Sequence, residues 1–143
     1  MSEKPAYNHA LTEWNGPLGL PDFNAFKDND FAATFDAALA DDLAEVEAIS
    51  HETAEATIEN TLKALQLTGK SLDRVSSIFW LRAGAHTNET IQTLQREIAP
   101  KMSRHYSRIT MDPQPLARID ALYENRDHLD LALETQLVLE QTW

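Results

Sequence analysis

A chain of 143 residues with 43% apolar and 24% charged side chains has the profile of about one soluble globular domain, outside the disordered range. Its formal charge of −11 argues against a nucleic-acid partner, which needs clustered Lys and Arg, and against an anionic membrane surface. With no cysteine, neither a disulfide framework nor a thiolate metal site is open to it.

No basic stretch followed by an apolar one opens the chain, so no secretory signal is read, and no run of about eighteen apolar residues could span a bilayer. A cytoplasmic location is expected. Asn88-Glu89-Thr90 matches the glycosylation sequon, which without a secretory signal is read as chance. Four glycines and six prolines accompany abundant Ala, Leu and Glu, a mixture that favours helix over strand.

Met1 to Asn15 is polar and patternless, and Gly16-Pro17 and Leu20-Pro21-Asp22 punctuate an extended entry segment. The expected division is a flexible segment over 1–20 and a helical domain over 21–143. Phe31, Phe35, Ala38, Leu39, Val46 and Ile49 fall on one stripe, with Asp41, Asp42, Glu45 and Glu47 off it. Capped by Asp28 or Asn29, this gives a first long helix to about Ser50. A single second helix is expected from about 58 to 84, with Thr57 as its N-cap. Its register is clean: Ile58, Leu62, Leu65, Leu72, Val75 and Phe79 keep steps of three, four or seven across Gly69. That glycine is read as a point of close helix–helix approach, costing about 1 kcal/mol relative to alanine.

Thr87 or Asn88 caps a third helix, with Ile91, Leu94, Ile98, Met102 and Ile109 facing inward and a kink expected at Pro100. Asp112 caps a fourth, opened by Pro113 and carrying Leu116, Ile119, Leu122 and Tyr123. A fifth begins near Ala132 and is still helical in pattern at Trp143, with no Gly, Asn, Lys or Arg to close it. That open end reads as truncation. The fold class is therefore all-α, a bundle of about five helices in antiparallel hairpins, the second and third helices pairing through the turn at His86.

Candidate chemistry is sparse. His51-Glu52-Thr53-Ala54-Glu55 has the outline of a zinc helix, but the second histidine of His-Glu-x-x-His is replaced by Glu55. His9, His86, His105 and His128 show no ligand spacing, and no Glu-x-x-His pair suits a di-iron bundle. His105 is read as a surface or boundary residue, and Glu124 with His128 as a weak pair on one helix face. The acids Asp36, Asp41, Asp42, Glu45 and Glu47 are read as a solvated helix face. Arg74, Arg82, Arg96, Arg104 and Arg108 are read as partners for internal pairing, not a phosphate track. Trp80, beside Phe79, is placed in the core, and Trp14, Trp80 and Trp143 are too scattered for an aromatic cage. No catalytic, cofactor-binding or metal residue is assigned.

Several stretches resemble the M3 family of zinc oligopeptidases, the oligopeptidase A, peptidyl-dipeptidase and thimet oligopeptidase type. Leu20-Pro21-Asp22-Phe23-Asn24-Ala25-Phe26, then Phe31 and Phe35-Asp36-Ala37-Ala38-Leu39, resemble the family's opening LPxF segment and first helix. Ala56-Thr57-Ile58-Glu59-Asn60-Thr61 is similar to its PTFENT element, with Ala56 for proline and Ile58 for phenylalanine. Leu72-Asp73-Arg74-Val75-Ser76-Ser77-Ile78-Phe79 resembles the LDRVSxxF stretch. Arg96-Glu97-Ile98-Ala99-Pro100-Lys101 and Leu116-Ala117-Arg118-Ile119-Asp120-Ala121-Leu122-Tyr123 continue the match in order, as does Leu139-Glu140-Gln141-Thr142-Trp143.

The resemblance implies the N-terminal helical part of a cytosolic zinc peptidase that hydrolyses short peptides. In that family His-Glu-x-x-His holds the metal and the water that attacks the scissile carbonyl. The motif occurs nowhere in the 143 residues, so zinc is expected in a longer parent and not in this chain. The expected role is a wall of the substrate channel, inactive alone. The partners implied are the catalytic remainder, short peptide substrates of the parent, and self-association through exposed apolar surface, with no nucleic acid and no membrane. The alternative is a stand-alone acidic helical protein–protein interaction module.

Overall fold

The structure, a computed structural model, describes residues 9–143. The first eight positions of the segment expected to be flexible lie outside the described residues. No strand occurs among the described residues, and the fold is all-α. Its helices are α1 (Asp30–Ser50), α2 (Ala64–Gln66), α3 (Lys70–Ala85), α4 (Glu89–Met111), α5 (Pro113–Glu124) and α6 (Leu133–Thr142). A π-helical turn, Ile58–Lys63, leads directly into α2.

The described residues divide into two compact units, one of residues 9–43 with 69–107 and one of 44–68 with 108–143. Each has its own core. Unit one buries Phe26, Phe31, Phe35 and Phe79, with Leu72, Val75, Ile91 and Ile98 around them. The rings meet edge-on, Phe31 to Phe79 at 5.1 Å and Phe35 to Phe79 at 5.4 Å between centroids, the arrangement that ring quadrupoles favour. Each fully buried Phe contributes about 2 kcal/mol from burial alone. Leu11 joins this core from the 3-10 turn His9–Leu11, and Trp14 packs against it. Ordered packing thus begins within the stretch that looked patternless. Apolar spacing over three residues is too short to register.

Within unit one, α3 runs antiparallel to α1: Arg82 reaches Asp28 before the start of α1, while Gly69, preceding α3, lies against Asp42. α4 runs parallel to α1, since Asp36 meets Lys101 and Asp42 meets His105. The α3–α4 hairpin is capped by Asn88. Its Oδ1 accepts from the Ile91 N–H at 2.9 Å and its Nδ2 donates to Asp28 at 2.7 Å. Asp28 therefore ties α1 to α3 and α4; its carboxylate is not a cap.

The single second helix does not form. Gly69 takes φ +72° and stands as the left-handed residue ahead of α3. Ile58, Leu62 and Leu65 pack in the core of unit two, Leu72, Val75 and Phe79 in that of unit one. The even register spans two cores. Gly69 does permit a close approach: a Cβ there would lie 2.9 Å from Asp42 Oδ1. α4 is continuous through Pro100.

Unit two buries Leu62, Ile119, Leu122 and Leu139. Asp112 caps α5 by accepting from the Gln114 N–H at 3.0 Å, with Pro113 first in the helix, as the sequence predicts. α6 ends against α5: Trp143 stacks on Tyr123 at 4.3 Å, and its indole N–H donates to Asp120 at 2.7 Å.

Candidate functional site

Two polar constellations stand out. The first is a clasp in unit two. Thr57 and Asn60 form a reciprocal cap: the Asn60 N–H donates to Thr57 Oγ1 at 3.1 Å, and the Thr57 N–H donates to Asn60 Oδ1 at 2.8 Å. The Arg118 guanidinium reaches this turn from α5. It donates to the carbonyls of Glu52 (2.7 Å) and Ala54 (3.1 Å), to Asn60 Oδ1 (3.1 Å) and to Thr61 Oγ1 (3.2 Å). A planar fork with five N–H donors suits such a ring of acceptors. Every acceptor is neutral and already placed, so the clasp orders 52–61 and leaves no group poised for proton or nucleophile chemistry.

The second is a buried pair in unit one. His105 Nε2 lies 2.6 Å from Asp42 Oδ2, with both side chains only 7% exposed. This corrects two readings, since His105 is not a boundary residue and Asp42 does not belong to a solvated face. Tyr106 packs edge-on to the His105 ring. Burial first, then the carboxylates of Asp73 and Asp42, push the Tyr106 phenol above its ordinary range and keep it neutral.

The remaining histidines and acids are dispersed. The His51 ring bonds the Glu47 carbonyl at 2.7 Å, and Glu55 is exposed. His9 pairs with Glu13 at 3.3 Å, and His86 ends α3. α5 stops at Glu124, and His128 lies in the 3-10 turn Arg126–His128, so these two do not share a helix face. Among the described residues no group of three or more His, Cys, Asp or Glu is arranged to hold a metal ion. Of the other acids, Asp36 pairs with Lys101 at 2.5 Å and Glu47 with Arg108 at 3.0 Å. Of the arginine series, Arg82 and Arg108 pair with Asp28 and Glu47, and Arg74 donates to the Thr12 carbonyl at 2.6 Å. Trp80 is half-exposed, edge-on to Phe79, and is not core.

Two of the concavities among the described residues lie in unit one. One of about 560 Å³ is lined by His9, Glu13, Asn15, Asp22 and Asn24 among others, and one of about 400 Å³ by Phe23, Ile78, Leu81, Arg82 and His86. Neither converges on a reactive group: Arg82 is held by Asp28 at 2.8 Å and stacked on Phe26. Neither is lined by the buried Asp42–His105 pair, which therefore has no route to a substrate through them. No helix among the described residues is long and apolar enough to cross a membrane.

Some of the residues that carried the family resemblance make the long-range bonds of the fold. Asn60 and Thr61 of the PTFENT-like element bond Arg118 of the last long motif, and Arg74 of the LDRVSxxF-like stretch anchors Thr12. No known family model matches the chain. It is 30% identical over 131 residues to the dipeptidyl carboxypeptidase of Salmonella typhimurium, covering 92% of this chain and 19% of that protein. It is 28% identical over 133 residues to the dipeptidyl carboxypeptidase of Escherichia coli, covering 93% of this chain and 20% of that protein. The chain thus spans about a fifth of the length of the curated relatives it matches. The similarity to a stretch of a peptidase, read first from motifs, extends over nearly the whole chain.

Proposed function

We propose that this chain is the N-terminal helical part of an M3-type zinc oligopeptidase, that it forms a wall of the substrate channel, and that it is inactive alone. The observation that carries this reading is the collinear similarity to dipeptidyl carboxypeptidases over 92% of the chain, combined with motif residues that build scaffold and not chemistry. A channel wall excludes folded proteins sterically. It needs rigid helices and a hydrated rim, which the Arg118 clasp and the acidic surface supply. Zinc, the peptide substrates and the catalytic remainder belong to the parent in this reading, whose location is the cytoplasm.

Self-association, also expected, fits the exposed Phe23, Trp80 and Leu81 of unit one, where charge is closest to balance. The test compares the 143-residue chain with a longer product of the same reading frame. The short chain with added zinc should release no product from short fluorogenic peptides, while the long one should cleave them and spare folded proteins. Zinc-dependent cleavage by the short chain would overturn the reading.

A further inference from the structure

Unit two holds most of the chain's charge imbalance, with twelve Asp and Glu against four Lys and Arg. All four cations are engaged: Lys63 with Glu59, Arg108 with Glu47, Arg118 in the clasp, and Arg126 over the Tyr123 ring at 4.0 Å. None lies on α6. That helix buries Leu139 but presents Leu133 and Leu137, one turn apart, at 71% and 49% exposure. The carboxylates of Asp130 and Glu134, on either side of Leu133 in sequence, make no ion pair or hydrogen bond with any described residue. Glu140, one turn beyond Leu137, accepts from the Gln136 amide at 3.2 Å.

We propose that this face of α6 docks an amphipathic helix bearing Lys and Arg. Its apolar side chains would cover Leu133 and Leu137, and its flanking cations would meet Asp130, Glu134 and Glu140. Charge complementarity selects this occupant. A second copy of the chain would set carboxylates against carboxylates, and an anionic bilayer is repelled for the same reason. The inference stands apart from the peptidase reading, since it needs only unit two.

The test titrates the whole 143-residue chain calorimetrically with a synthetic Leu/Lys amphipathic helix of about fourteen residues, a length at which such helices are marginal until docked. A peptide of the same composition in scrambled order is the control. One-to-one binding is expected, weakened about tenfold by Leu133→Ser with Leu137→Ser, as loss of an apolar anchor pair requires. It should weaken about as much between about 50 and 300 mM salt through screening. The control peptide should bind far more weakly. Leu116→Ser, at a half-exposed leucine of α5 in the same unit, should leave the affinity unchanged. Both substituted α6 positions are exposed, so the double variant should keep the wild-type helical spectrum and melting curve. Absence of saturable binding, equal affinity for the double variant, or a self-dimer of the chain that the double variant abolishes would each overturn the proposal.

Discussion

Gly69 is the residue on which unit one turns. It combines φ +72° with a space in which a Cβ would meet Asp42 Oδ1 at 2.9 Å. Alanine there faces both backbone strain and displacement of the carboxylate from His105, so Gly69→Ala should destabilise the chain by about 2 kcal/mol or more. Urea unfolding with an unchanged m-value checks this; a variant as stable as the parent chain would show that the turn relaxes freely. The buried pair behind it gives a second expectation. Asp42→Ala leaves the buried His105 ring without its partner and should cost about 2–3 kcal/mol. Asp42→Leu with His105→Phe should recover much of that, because two apolar groups leave nothing unsatisfied. A double-mutant cycle showing no coupling between the positions would contradict the observed bond. At Arg118, lysine supplies one charge but no planar fork, and Arg118→Lys should lose about 2 kcal/mol.

The loss at Arg118 has a location, which belongs to the scale of elements. Hydrogen exchange in Arg118→Lys should speed up at the amides of residues 52–63 and of α5, while the α3 amides Val75 to Phe79 keep their protection. A uniform loss across both units would show that they do not open separately. Which elements form was largely legible in advance. The extents of α1, α4, α5 and α6 follow from apolar spacing, with Asn88 and Asp112 as their readable caps. The break at 67–69 was not legible, because steps of three, four and seven continued across Gly69 while the residues served different cores. The buried pair had a signal that residue type obscured. Asp42 stands four beyond Ala38 and seven beyond Phe35, and His105 seven beyond Ile98. Both therefore lie on the apolar stripes of their helices, and an acid and a histidine on two such stripes implied a buried partner. The π-helical turn at Ile58–Lys63 and the reach of Arg118 across 57 residues to Thr61 had no local signature.

At the scale of the whole molecule, the motifs shared with a much longer peptidase are spent on architecture: cores, caps and a clasp. In the proposed reading the chain is a supporting part of a longer peptidase, which fits its similarity to a stretch of the dipeptidyl carboxypeptidases. It should bind no zinc at stoichiometric strength, because the His51 region offers one imidazole and exposed carboxylates where four converging ligands are needed. Dialysis against the metal followed by elemental analysis checks this. The measurement that bears most directly on the account is the gene sequence past codon 143. The account predicts an open frame of several hundred further codons that contains His-Glu-x-x-His and a downstream glutamate ligand. A stop codon at that point would contradict it and leave a small acidic helical protein whose function lies in what it binds.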